Sequence, residues 1–311
     1  MMLRGSPATR SDARRRLEPG RLAPMPELPE VEALAAFLDE RLSGHAVVAA
    51  TPVAIQALKT YDPPLSALVG AEVAGVRRHG KFLDFSVGDV HLVIHLARAG
   101  WIRWREELPV EPPRPGKGPL ALRVRMGDPG GGFDVTEAGT KKGLAVYVVR
   151  DPAEVPGIAR LGIDPLSEDF TVEELGRLLE GERRQIKGVL RDQSVLAGIG
   201  NAYSDEILHA AKMSPFKLAA KLTPTEVEEL HRDTIATLTD AVERSRGLPM
   251  KDLKSEKKSG LRVHGRTGEK CPVCGDTVRE VSFADSSLQY CPTCQTGGKP
   301  LADRRMSRLL K

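Results

Sequence analysis

The apolar positions fall into two regimes along the chain. LPEVEALAAFLDERL (28–42) places Leu28, Val31, Leu34, Leu38 and Leu42 at three- and four-residue steps. That spacing predicts an amphipathic helix. Pro29 fits its first turn, where a missing N–H costs nothing, and Glu27 and Glu30 suit the positive end of its dipole. From His45 to about Arg105 the pattern shortens to β-type runs: VVAATPVAI, KFLDFSV, HLVIHLA and WIRW, with Gly88-Asp89 as a hairpin turn. A Pro/Gly-rich loop, LPVEPPRPGKGP (108–119), separates these from LALRVRM, GGGFDVTEAG and LAVYVVR. After DPAEVPGIARLGIDP (151–165) the period turns helical again, in TVEELGRLL, RRQIKGVLRD, GNAYSDEILHAAK and TPTEVEELHRDTIATLTDAVERS. LPMKDLKSEKKSG (248–260) reads as a linker. The expected fold is α+β: a helix with a two-sheet β-sandwich, a helical unit, and a small C-terminal hairpin.

Composition narrows the classes. The 311 residues suffice for about two domains, and no apolar run approaches the ~18 residues of a membrane span. Residues 1–24 are rich in Arg, Pro and Ala and lack an apolar segment of the secretory kind. They hold six arginines and two acids, which accounts for the whole net charge of +4 and leaves 40 basic against 40 acidic residues from position 25 onward. Global charge therefore does not argue for nucleic acid. Local charge does, with 13 Lys/Arg against seven Asp/Glu from Lys251 to Lys311.

All four cysteines stand in two knuckles, Cys271/Cys274 and Cys291/Cys294, 16 residues apart. Two C-x-x-C pairs at that distance supply four thiolates to one tetrahedral Zn²⁺ and leave no open position, so the ion is expected to be structural. With no cysteine left for a disulfide, the usage points to a reducing cytoplasm.

Three further stretches carry candidate chemistry. VLAGIGNAYSDEIL (195–208) puts Gly198 and Gly200 before Asn201 at a helix start, a geometry that can hold phosphate or serve as a plain cap. RRHGKFL (77–83) places Lys81 after a glycine at a strand start, where it is either a phosphate ligand or a solvated charge. MPELPEVE (25–32) would expose the secondary amine of Pro26 if Met25 were the first residue and were removed.

Together, PELPEVE, HGK, GIGNAY and the four-cysteine finger resemble the formamidopyrimidine-DNA glycosylase/endonuclease VIII family, over about Pro26 to Cys294. The resemblance implies a bifunctional DNA glycosylase/AP lyase of base excision repair, acting on oxidised bases in damaged double-stranded DNA. It implies a monomer of bacterial cytoplasm, associated with the nucleoid and not with membrane. It makes Pro26 the nucleophile, Glu27 the general acid/base, Glu30 its support, and Lys81 the holder of a phosphate beside the lesion. Lys187, Gly200 and Asn201 would grip the backbone from a helix–two-turns–helix unit.

Three departures from the family pattern stand out. Arg98 in HLARAG takes the place of a gap-filling methionine. Lys141 and Lys142 in TKKGLA stand where an Arg and a Phe wedge are usual. Ser286 replaces an arginine of the finger hairpin. These changes keep two alternatives open: a non-catalytic damaged-DNA-binding protein, and an AP lyase with little base excision. Basic tail residues Lys299, Arg304, Arg305 and Arg308 could offset the loss at Ser286.

The expected organisation is a leader (1–24) that reflects a start codon placed too far upstream, a catalytic β-sandwich (25–150) and a linker (151–164). The helix–two-turns–helix unit (165–260), the finger (261–295) and a basic tail (296–311) follow.

Overall fold

The computed structural model describes residues 25–113, 118–128, 130–283 and 286–302. The leader, and Arg304, Arg305 and Arg308 of the tail, lie outside the described residues.

Helix α1 (Leu28–Leu42) has the bounds its apolar period predicts. Leu28, Val31, Leu34, Leu38 and Leu42 are all fully buried. At about 1.5–3 kcal/mol for each such side chain, that stripe rather than intrinsic propensity holds the helix. Leu34→Ala would cost about 2–5 kcal/mol.

Two four-stranded antiparallel sheets follow. One has the order β2 (Val73–His79), β3 (Phe82–Val87), β4 (Val90–His95), β8 (Ala145–Val149). The other has the order β1 (Val47–Pro52), β6 (Leu120–Met126), β7 (Gly132–Glu137), β5 (Gly100–Arg105). Val87 pairs with Val90 across the Gly88-Asp89 turn, and Gly88 takes the left-handed conformation (φ 55°) that a two-residue hairpin demands. Phe85 and Phe133 stack between the sheets with ring centroids 5.2 Å apart. Leu83, Ile94, Leu122, Val124 and Val135 share that core with Leu34 and Leu38 of α1.

The helical unit comprises α2 (Val172–Leu179), α3 (Ile186–Leu190), α4 (Asn201–Ala210) and α5 (Pro224–Ser245). Thr223 caps α5 in a reciprocal arrangement with Glu226. Leu28 packs with Leu190, Ile199 and Tyr203 rather than with the sandwich core. The first residue of α1 therefore joins the two units.

The stretch at 248–260 is not a linker throughout. Leu253–Gly260 forms helix α6, with Leu253 and Lys257 buried one turn apart. Its remaining residues are mostly Lys, Ser and Glu, so a two-residue buried seam left no apolar period to detect. The finger closes with the hairpin β9 (Arg279–Ser282) and β10 (Ser287–Tyr290), then α7 (Pro292–Thr296).

Candidate active site

The start of α4, Lys81 of the β2–β3 turn and Lys257 of α6 gather around Glu27 at the start of α1, next to Pro26, which is buried and joined to Met25. The Glu27 carboxylate crosses to α4 and accepts the amides of Gly200 (2.8 Å), Ala202 (3.0 Å) and Tyr203 (3.2 Å). It occupies the orphan N–H groups of that helix, as an anion would. Burial by itself would push the Glu27 carboxyl up. Lys257 and Lys81, with the Ala202 and Tyr203 amides, outweigh it and bring it down to about 2.

Glycine geometry enforces this contact. A Cβ on Gly200 would stand 2.4 Å from Glu27 Cδ, and Gly198, at φ +88°, faces Leu28 with a hypothetical Cβ at 2.8 Å. Both glycines of the GIG segment let α1 and α4 approach end to end.

Glu30 accepts from its own helix cap and from two neighbours: Glu27 N (2.8 Å), Tyr203 Oη (2.7 Å) and Lys257 Nζ (2.7 Å). Burial first, and then the Glu30 carboxylate, hold the Tyr203 phenol well above its ordinary range. Lys81 donates to the Ile199 carbonyl at 2.9 Å, and burial lowers its ammonium against the opposing pull of Glu27. His95 beside it is held down at about 4 by burial and then by Lys81, which keeps the ring neutral.

Of the residues expected from sequence, Pro26, Glu27, Glu30, Lys81 and Gly200 form this one cluster. Lys187 lies deeper. Its ammonium donates to Asn201 O (3.1 Å), Ser204 Oγ (2.7 Å) and Asp205 Oδ1 (2.7 Å), and its side chain is only 6% exposed. Its donors are spent inside the protein. Asn201 donates to the Ser287 carbonyl of the finger hairpin at 2.8 Å. The α4 amides foreseen as a phosphate cradle are those that bind Glu27.

Arg98, Lys141 and Lys142 are exposed on two neighbouring loops. A Cβ on Gly143 would lie 3.2 Å from that of Ala97, which shows how closely these loops adjoin. Lys142 donates to the Glu137 carbonyl at 2.6 Å.

Two members of the cluster were not expected from sequence. Tyr203 is part of the NAY segment, but only its partner Glu30, 173 residues away, gives the hydroxyl a role. Lys257 carried no signal beyond charge in a lysine-rich stretch.

Among the described residues, the four cysteines offer sulfurs within 4.8 Å of one another. Four thiolates at about 2.3 Å around one zinc stand about 3.8 Å apart, so the set fits a single structural ion. His209 Nε2 lies 3.3 Å from Cys271 Sγ, in the position of an outer-shell donor. Asp205 Oδ2 accepts His264 Nδ1 (2.7 Å) and Gln289 N (3.1 Å), and Glu206 accepts the amides of Arg262, Val263 and His264. Helix α4 thus anchors the finger as well as Glu27. No described helix is long and apolar enough to cross a membrane.

A sandwich joined through a buried carboxylate to a helix–two-turns–helix unit, with a four-cysteine finger behind it, defines the class of zinc-finger DNA glycosylases. Three family models match in order: the formamidopyrimidine-DNA glycosylase N-terminal domain at 25–132, its H2TH domain at 161–251, and the zinc finger found in FPG and IleRS at 268–297. The chain belongs to the formamidopyrimidine-DNA glycosylase family, enzymes of base excision repair.

The formamidopyrimidine-DNA glycosylase of Symbiobacterium thermophilum is 35% identical over 291 residues, covering 90% of this chain and 93% of its own. An uncharacterized formamidopyrimidine-DNA glycosylase-like protein of Mycobacterium tuberculosis is 62% identical over 159 residues, 51% of this chain and 99% of its own. Among solved structures, the Lactococcus lactis enzyme bound to AP-site DNA superposes with a TM-score of 0.75 at 27% identity, covering 87% of this chain and 99% of that one. The MutM (Fpg) protein of Thermus thermophilus gives 0.73 at 30% identity, covering 88% and 100%.

Proposed function

We propose that this glycosylase is bifunctional and works through the amine of Pro26 on damaged double-stranded DNA. The observation that carries the reading is the buried charge cluster next to Pro26: Lys257 touches Glu30 and the Met25 carbonyl that precedes the proline, and stands 3.8 Å from Glu27. The reaction requires that the peptide bond to Met25 be absent, since an acylated proline has no basic nitrogen.

The base leaves the stack before chemistry. The free amine attacks C1′ of the damaged nucleotide. The glycosidic bond breaks, and the base departs with its electron pair and takes up a proton. Glu27, ionised at any working pH, is placed to accept the proton released by the amine. The C1′–O4′ bond then breaks, O4′ keeps the electron pair and takes the proton from Glu27, and the opened sugar is an iminium that acidifies the C2′ proton. Loss of that proton expels the 3′ phosphate, and a second elimination expels the 5′ phosphate. Zinc, when bound, holds the finger in place and takes no part in these steps. Lys81 lies beside the site as the cation for a phosphate near the lesion, Arg98 and Lys141 enter the gap left by the flipped nucleotide, and Lys142 stands with them. The protein acts as a monomer, one lesion to one cleft.

The single-residue loop changes favour abasic sites within this reading. The 140–143 loop offers two lysines and no aromatic wedge. Zinc-loaded protein beginning at Pro26 should cut a duplex with one abasic site and leave phosphate at both ends of the gap. A duplex bound with preference for the lesion but left uncut would instead identify a damage-binding protein.

A further inference from the structure

Lys257 is the one residue of this cluster that no motif supplied. Its side chain is 1% exposed, whereas in the same helix Lys258 is exposed and Lys254 is half-buried over the Trp101 ring. Its ammonium touches Glu30 at 2.7 Å and the Met25 carbonyl at 2.9 Å, stands 3.8 Å from Glu27, and sits 4.8 Å from the centre of the Tyr203 ring. A carbonyl oxygen is about 2.2 Å from the nitrogen it acylates. The ammonium is therefore no more than about 5 Å from the nitrogen of Pro26.

Consider the charges that amine would meet. Glu27 and Glu30 come from α1 and Tyr203 from α4. Lys81 comes from the β2–β3 turn, with His95 of β4 beside it. Arg191 after α3 stands within coulombic reach of Lys81, and Arg244 of α5 within that of Tyr203. Two carboxylates beside an amine favour its ammonium form, which is no nucleophile. Lys81 is committed to the Ile199 carbonyl. Lys257 alone among these cations contacts both Glu30 and the place vacated with Met25.

We propose that Lys257 is a positioning residue that neutralises Glu30 and, by its own charge, keeps the Pro26 amine as the free base. The inference rests on the Pro26 reading and adds to it a reason for the amine to be reactive near neutral pH. A unit charge about 5 Å away moves an amine by roughly two pH units at the effective dielectric of a protein interior, and by about one once water and counterions screen it.

The test is the pH dependence of single-turnover hydride trapping on an abasic duplex, with zinc-loaded protein beginning at Pro26. Lys257→Met should move the midpoint up by about one pH unit, cut the rate at neutral pH about tenfold, and converge with the unmodified protein at high pH. Lys257→Arg should keep the original midpoint. Glu30→Gln, which retains Lys257, should move the midpoint down, and it decides the matter if Lys257→Met does not fold. A Lys257→Met loss equal at every pH, or a Glu30→Gln midpoint that does not fall, would overturn the proposal. Absence of any Pro26 adduct in the unmodified protein would instead overturn the nucleophile assignment beneath it.

Discussion

The Glu27 carboxylate caps helix α4 through the Gly200 amide at 2.8 Å, across 173 residues of chain. One buried side chain thereby does two things. It closes the joint between the sandwich and the helical unit, and it fixes an ionised carboxylate beside Pro26. In the proposed reaction the structural contact of Glu27 and its part in proton transfer therefore rest on the same carboxylate.

Gly200→Ala tests that joint. The added Cβ falls 2.4 Å from Glu27 Cδ and also crowds its Cγ and Oε1, so the Glu27 carboxylate must leave the α4 amides or the two helices must part. We expect a loss of about 2–4 kcal/mol in stability and at least a hundredfold loss in strand cleavage. Denaturant unfolding and cleavage assays at equal folded fraction separate the two effects.

Acid should unfasten the same contact. The Glu27 carboxyl falls from an ordinary 4.5 to about 2 in the folded chain. A depressed carboxyl contributes stability that is complete above the unfolded value and is lost as pH falls through the folded one. The window is therefore about pH 4.5 down to 2, and the gap corresponds to roughly 3 kcal/mol. Urea midpoints measured across that window should fall less steeply for Glu27→Gln than for the unmodified protein.

Zinc removal should act through Asn201. With the cysteine cluster released, the hairpin that receives the Asn201 amide at Ser287 has no fixed position, and α4 loses its partner. Chelation should weaken binding of abasic duplex at least tenfold in fluorescence anisotropy, and added Zn²⁺ should restore it. Full binding by zinc-free protein would remove the finger from the interface.

The proposed gap-filling role of Arg98 can be tested by itself. It is exposed on the loop after β4, where nothing in its described surroundings fixes a fold role. Arg98→Ala should leave the melting temperature within about 1 °C and reduce abasic-site cleavage about tenfold. An unchanged rate would place gap filling elsewhere.

Sequence legibility followed the range of the interactions. The period of α1 and the cysteine spacing are local, and both were readable to the residue. Strand β2 was not, because Arg77, Arg78 and His79 interrupt its apolar alternation while Arg78 pairs with Glu32 and Asp164. Lys187 carried the expected type of charge, but its use depends on Ser204 and Asp205 one helix later. Lys257 was invisible because its partners are distant in sequence, Glu30 lying 227 residues away and the Met25 carbonyl 232.

The central claim is that the Pro26 amine is the nucleophile. It is tested most directly by borohydride trapping on DNA with one abasic site, using protein made from its native gene and mapping the cross-linked peptide by mass spectrometry. The account predicts one adduct, on a peptide beginning at Pro26. An adduct on another residue, or none from zinc-loaded protein whose first residue is shown to be Pro26, would contradict it.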